Sequence, residues 1–351
     1  MDADRAFLEE LVRCASPSGA EREVCALLVS RLASLGWDRV ELDAVGNVVA
    51  SRGEGPREVL LLGHVDTVPG GPPVRWEGET LWGRGAVDAK GAFGAFAVAG
   101  GMVSVPEGGR LTLVGAVGEE RDSRGARYRL DRHTPVACLV GEPSGSDGVT
   151  VGYRGRVFCV LEGQDGGAHR SGDPGPLTAC LRGAAAVLEF WEGGDNSSRP
   201  VIERPSGAVA FFEGREEGDR RGRVELDLRL PLGADPDDVV REVREVAERW
   251  GVTPVFSEAV KAHMVSRDDP AVRALRWAIR QVRGGTPRLL AKGGTADFNL
   301  AASWGCPLAA YGPGDSRLDH TAEERLALEE FRRAVDVLEM AIPRLWGTEG
   351  A

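Results

Sequence analysis

The sequence predicts an α/β protein: a mixed sheet flanked by helices, interrupted by a smaller inserted α+β domain of ferredoxin-like order. Three observations predict it. Short apolar runs alternate with helix-compatible segments through the first part of the chain. Near Gly152 the order changes to strand, helix, two strands, helix, strand. From Pro270 onward helical spacing resumes. The expected boundaries are 1–152 with 263–351 for the outer domain and 153–262 for the insert.

Each element has a local reason. Phe7, Leu8, Leu11 and Val12 share one helical face, and Ser16-Pro17-Ser18-Gly19 breaks that helix. Val24, Leu27, Leu28, Leu32 and Leu35 form a second helical face, with Gly36 placed as its C-terminal cap. Strands are expected at 45–50, 59–62, 111–117 and 136–140, and a small-residue helix at 92–103. In the insert, strands are expected at 156–162, 208–213, 223–230 and 253–256, with helices at 177–191 and 237–250. A helix over 270–282 follows. Thr321-Ala322-Glu323-Glu324 reads as a capping box opening a last helix, whose apolar face is Phe331, Val335, Leu338 and Ile342.

Composition narrows the function. At 351 residues with 42% hydrophobic content, the chain is long enough for two domains with real cores. A net charge of −11 argues against nucleic acid as the main partner. No apolar run approaches the ~18 residues of a transmembrane helix, and Met1-Asp2-Ala3-Asp4-Arg5 lacks the form of a signal peptide. The six cysteines have no Cys-x-x-Cys spacing, so reduced thiols of a cytoplasmic protein are expected.

The chemistry-bearing residues are His64, Asp66, Asp88, Glu119, Glu120, Glu142 and His320. His64, Glu119-Glu120 and Glu142 each follow a short apolar stretch, where strands of an open α/β sheet end and ligands bind. Imidazoles and carboxylates suit zinc, with cobalt(II) as a substitute. The set predicts two Zn²⁺, with His64, Glu142 and bridging Asp88 on one ion, and Glu120, His320 and the same Asp88 on the other. Two dications outweigh three carboxylates, and that residual positive charge favours ionisation of a bound water. Glu119 and Glu120 point opposite ways in an extended segment, so Glu119 is free to act as general base and then as proton donor. Asp66, two residues from His64, is placed to orient the ring. Any one of these residues alone is ordinary surface polarity; the ordered combination is not.

The segments Gly63-His64-Val65-Asp66-Thr67-Val68-Pro69, Gly83-Arg84-Gly85-Ala86-Val87-Asp88-Ala89-Lys90-Gly91, Gly118-Glu119-Glu120 and Gly141-Glu142-Pro143 resemble the dinuclear zinc aminoacylase and carboxypeptidase family, which includes acetylornithine deacetylase and succinyl-diaminopimelate desuccinylase. The resemblance covers nearly the whole chain. It implies a zinc-exopeptidase-like catalytic domain and an inserted lid that forms a homodimer. Lys292 to Asn299 and Tyr311 to Thr321 are similar to the branch that hydrolyses lysine or ornithine from the C-terminal glutamate side chain of LysW, a small acidic amino-group carrier protein. The resemblance also implies that His169, in Gly166-Gly167-Ala168-His169, hydrogen-bonds the developing oxyanion.

Arg229 is a candidate clamp for a substrate carboxylate, with a strand-surface ion pair as the alternative. In the Lys292–Asn299 loop, Lys292, Thr295 and Asp297 are candidates for binding the released amino acid. Arg121, Arg124, Arg127, Arg129 and Arg132 form a basic run on an acidic chain, which either docks an acidic carrier or is a solvated face. Two alternatives stay open. One is a small-molecule N-acyl-amino-acid deacylase or dipeptidase with the same site. The other is a metal-free amino-acid-binding or scaffold protein.

Overall fold

The computed structural model describes residues 2–167, 174–194 and 196–347. The chain divides into two compact units: Met1–Val151, Val265–Leu290 and Leu300–Ala351 form the first, and Gly152–Met264 with Ala291–Asn299 the second. The segment Ala291–Asn299, expected with the outer domain, therefore belongs with the insert. Hydrogen bonds explain why. Arg154 N–H donates to the Lys292 carbonyl, the Thr295 hydroxyl and Asn299 amide donate to the Arg154 carbonyl, and Asn299 also reaches the Lys261 carbonyl.

In the first unit, a mixed sheet runs in the order Arg39–Leu42, Val48–Arg52, Gly109–Ala116, Arg57–His64, Ala137–Gly141, Leu308–Ala310 and residues 148–151. The central strand Arg57–His64 is parallel to both its neighbours and buried along its length after Arg57. That accounts for its unbroken apolar run, since a parallel strand covered on both faces has no polar side to show. Helix Lys90–Met102 packs on this sheet and meets helices Ala3–Arg13 and Leu328–Ala341. Phe93, Phe96, Leu11, Phe331, Leu61 and Leu113 meet in its core.

Four features differ from expectation. The strand expected at 45–50 runs Val48–Arg52, because Asp43 accepts the backbone N–H groups of Val45 and Asn47 and holds a turn there. Short strands Arg75–Glu77, Thr80–Trp82 and Arg325–Ala327 form a separate small sheet. Arg124–Arg129 is helical. The last helix starts at Leu328, so Thr321 caps no helix, and the Glu324 side chain is engaged elsewhere, as described below.

The second unit has strands Gly155–Asp165, Ser206–Arg215, Arg220–Leu230 and Thr253–Val260, and helices Pro176–Glu192 and Pro236–Glu248. Numbered within the unit, its antiparallel strand order is 2-3-1-4, the ferredoxin-like arrangement. Strand Arg220–Leu230 alternates buried and part-exposed positions, and its Val224, Leu226 and Leu228 meet Val187 and Val243 from the helices. No helix among the described residues is long and apolar enough to cross a membrane.

Candidate metal centre and active site

Three parallel strands end side by side and deliver the first residues of the site. Gly63, Gly115 and Gly141 lie in register across them, and His64 and Glu142 each follow the glycine of their strand, His64 as its last residue and Glu142 just past its end. The glycines are needed because helix Lys90–Met102 presses Phe93 and Phe96 onto this spot. A Cβ at Gly115 would lie 3.0 Å from the Phe93 ring, and at Gly141 3.3 Å from the Phe96 ring. The close approach also sets the helix start, and with it Asp88, at the same strand ends.

The convergence is short-range. His64 Nε2 is 3.2 Å from Asp88 Oδ1, and His320 Nε2 is 3.1 Å from Asp88 Oδ2. His320 Nε2 is also 2.9 Å from Glu120 Oε1. Each oxygen of one carboxylate thus faces a different imidazole, which is the arrangement a bridging ligand needs. The ligating atoms of His64, Asp88 and Glu120 all lie within 4.8 Å of one another. Zinc bonds of about 2.0–2.2 Å set neighbouring ligand atoms roughly 3.3 Å apart, so these groups fit metal ions with little rearrangement. Glu142 is buried at the end of its strand. His320 holds a left-handed backbone, φ +61°, uncommon outside glycine.

Asp66 has a wider task than expected. His64 Nδ1 lies 3.0 Å from the Asp66 main-chain carbonyl and 3.6 Å from its carboxylate. The carboxylate itself accepts hydrogen bonds from Ser18 Oγ at 2.6 Å and from the backbone N–H groups of Glu119 and Glu120 at 3.0 and 3.1 Å. It therefore orients the pair of glutamates as well as standing beside the ring. From the other side Asn47, fully buried, accepts the Val117 N–H and donates to the Gly125 carbonyl, holding the same turn.

The electrostatics show a surplus of negative charge. Burial disfavours the charged form of His64, yet the Asp66 and Asp88 carboxylates and the field of Glu119 hold its pKa well above the usual imidazole range. Asp88 and Glu120 raise His320 to about 10. Burial works against ionised Asp88, but its two imidazole partners outweigh that and hold it below the ordinary carboxylate range. Burial, with the Asp88 charge adding, raises Glu120 despite His320. Protons on these rings occupy the places that cations would take.

The other candidates belong to the second unit, to the basic run of the first unit, or to residues outside those described. His169 falls outside the described residues. Arg229 lies in the second unit, where Nη2 pairs with Asp227 at 2.9 Å and Nη1 meets Thr295 Oγ1 at 3.1 Å, so the strand-surface ion pair is present. Lys292 and Asp297 belong to that unit too. In the basic run, Arg129 is turned inward to Asp43 and His133, and Arg124 pairs with buried Glu21 at 2.8 Å. Arg121, Arg127 and Arg132 are exposed. Sequence reasoning missed Asn47 and Glu324; only the position of Glu324 four residues after His320 hinted at the second.

Residues 60–344 match peptidase family M20/M25/M40. The chain belongs to that family. Among relatives, it is 38% identical to the [LysW]-lysine hydrolase of Deinococcus radiodurans, over 98% of each chain. It is 30% identical to the [LysW]-lysine/[LysW]-ornithine hydrolase of Saccharolobus islandicus, over 84% of this chain and 82% of that one. Its fold is similar to that of an M20 family metallo-carboxypeptidase from Sulfolobus solfataricus, with a TM-score of 0.81 at 17% identity, covering 99% of each chain. Human carnosine dipeptidase 1 is similar at a TM-score of 0.74 and 17% identity, with 99% of this chain and 97% of that chain covered. The expected family and α/β fold class are thus borne out. The chain is an amide hydrolase of the M20 type, a family whose chemistry uses metal ions.

Proposed function

We propose that this M20 hydrolase holds two zinc ions, with cobalt(II) able to replace them, and releases lysine or ornithine from the γ-carboxyl of the C-terminal glutamate of a LysW-type carrier protein. That places it in cytoplasmic lysine or arginine biosynthesis. The observation that carries the metal centre is Asp88, whose two oxygens face His64 and His320 separately. The substrate rests on similarity to the carrier-lysine hydrolases at up to 39% identity over nearly the full chain. His64, Asp88 and Glu142 would hold one ion, and Glu120, His320 and Asp88 the other.

Bound at these residues, the ions would supply polarisation of the amide carbonyl and a water that ionises at neutral pH. Glu119 accepts the proton of that water as it adds to the carbonyl carbon, then delivers it to the nitrogen as the C–N bond breaks. Asp66 keeps Glu119 in place through its backbone N–H. We assign His169 to the developing oxyanion, and Arg229, Lys292, Thr295 and Asp297 to substrate recognition. Exposed Arg121 and Arg127 supply a positive face for an acidic carrier. The edge strand Ser206–Arg215, with Val209, Phe211 and Phe212 exposed, supports a homodimer through the inserted unit.

The test offers apo-protein, reloaded with zinc or cobalt, four substrates: carrier-linked lysine, carrier-linked ornithine, N-acetylornithine and succinyl-diaminopimelate. Carrier-linked substrates should be cleaved with the highest kcat/KM. Cleavage of the small acyl compounds alone would replace this reading with an N-acyl-amino-acid deacylase.

A further inference from the structure

Glu324 is a buried charge that the metal centre described above leaves unexplained. Its side chain is 0% exposed, and it lies in neither a helix nor a strand. Oε1 accepts three backbone N–H groups, from Gly85 at 2.8 Å, Val87 at 3.0 Å and Asp88 at 3.2 Å. Oε2 accepts Arg84 Nη1 at 2.5 Å. One carboxylate therefore gathers the whole loop that ends in the bridging residue. The backbone around it follows suit: Gly83 N–H donates to the Glu324 carbonyl, and Arg325–Ala327 pairs with Thr80–Trp82.

A second glutamate six residues on repeats the pattern. Glu330 Oε1 accepts the backbone N–H of Ser146 at 3.1 Å and of Gly314 at 3.1 Å. Ser146 lies on the loop that leaves Glu142, and Gly314 on the segment that leads to His320. These two loops are also tied to each other, by Ser144 N–H to the Gly312 carbonyl and Gly145 N–H to the Gly314 carbonyl. Three loops that carry proposed metal ligands thus end on two carboxylates of one short segment, 324–330.

Burying a carboxylate is costly, and apolar packing alone would fill the same space. Ala86 and Val87 are already fully buried. What the carboxylate adds is direction: three convergent N–H···O bonds leave the loop backbone one orientation, with both Asp88 oxygens turned toward the imidazoles. We propose that Glu324 is a positioning residue for the metal centre and that Glu330 assists it, so that segment 324–330 sets the geometry in which Asp88, Glu142 and His320 meet the ions. This inference rests on the two-metal reading above.

The test measures zinc binding by titration into chelator-stripped protein, and the absorption spectrum of the cobalt(II) form, for wild type, Glu324→Gln, Glu330→Ala and Val335→Ala. Gln at 324 cannot satisfy both sides, because an amide oriented to accept the three N–H groups presents its own NH₂ to Arg84. Zinc affinity should fall by about 10–100-fold, the range for partners that orient ligands, with a changed cobalt spectrum. Glu330→Ala, which removes the acceptor of both N–H groups, should lose on the order of tenfold. Val335→Ala loosens the last helix without touching these loops and should keep wild-type affinity at a similar loss of Tm. Wild-type affinity and spectrum in Glu324→Gln would overturn the inference, whatever happens to Tm. If Glu324→Gln does not fold, Glu330→Ala decides on the same criterion. Failure of the wild type to bind two ions would instead overturn the metal-centre reading.

Discussion

Strand Arg57–His64 carries a buried histidine–carboxylate cluster at each end, and the two clusters are built on opposite principles. At the start of the strand, Glu58 accepts hydrogen bonds from Thr112 Oγ1 at 2.6 Å and His133 Nδ1 at 3.0 Å, with Arg110 as an ion pair at 3.3 Å. His133 Nε2 faces the Arg129 Nε donor at 2.9 Å, so the ring proton is on Nδ1 and points at Glu58. The Thr112, His133 and Arg129 donors each meet an acceptor, while Arg110 Nε, buried beside Glu58, pairs with it through charge alone. At the far end, Asp88 and Glu120 crowd around two imidazoles with Glu119 near, and the rings are driven toward protonation. A polar cluster that satisfies itself holds a fold together. One with convergent imidazole nitrogens and surplus carboxylates is complete only with added cations.

The largest effect should separate chemistry from binding at the second cluster. Glu119→Gln should lower kcat by about 10²–10⁴-fold while leaving zinc stoichiometry and Tm as in wild type. Steady-state kinetics with metal analysis checks this, and a loss smaller than tenfold would remove Glu119 from proton transfer. Next in size is the metal itself. Stripping with a chelator should abolish hydrolysis, and zinc at about 100 times its Kd should raise stability by about 2.7 kcal/mol for each site filled, read as a Tm increase that cobalt also gives.

The first cluster should respond in the reverse sense. Glu58→Gln should cost about 2 kcal/mol in urea unfolding and leave zinc affinity unchanged, because its matched partners lose a charged acceptor. Its pH dependence has a definite sign. Burial opposes ionised Glu58, but the hydrogen bonds from His133 and Thr112 outweigh it and hold the folded pKa below the ordinary 4.5. Its contribution is therefore full above pH 4.5 and disappears as pH falls through the lower folded value, so wild type and Glu58→Gln should converge in stability in acid. The smallest effect sharpens the contrast most. Glu120→Gln in metal-free protein should be neutral or stabilising by less than about 1 kcal/mol, since burial and Asp88 already disfavour its charge. A clear loss of stability there would mean that the two ends of the strand do not differ as described.

Much of the site was legible because strand ends announce themselves. The apolar runs before His64 and Glu142 are parallel strands, and the small residues over 92–103 are the helix that packs on Gly63, Gly115 and Gly141. The failures were local patterns overruled by distant partners. Thr321-Ala322-Glu323-Glu324 has the spacing of a capping box, but Glu324 accepts N–H groups some 240 residues away in sequence. The run of arginines looks uniform, yet Arg129 and Arg124 are spent on Asp43 and Glu21 while Arg121 and Arg127 stay exposed. The strands Arg75–Glu77 and Thr80–Trp82 are too short to show a period, and the segment Ala291–Asn299 joins the second unit only through hydrogen bonds to Arg154 and Lys261.

The order of residues along the chain determined the fold class and marked the side chains whose chemistry suits a metal, since periodicity and residue chemistry are properties of short segments. Tertiary structure alone decided that Asp88 faces two imidazoles, that Asp66 holds the glutamate pair, and that Glu324 serves a loop rather than a helix. Those outcomes depend on angles and on distances of about 3 Å between residues far apart in sequence, which only the packed sheet and helices set.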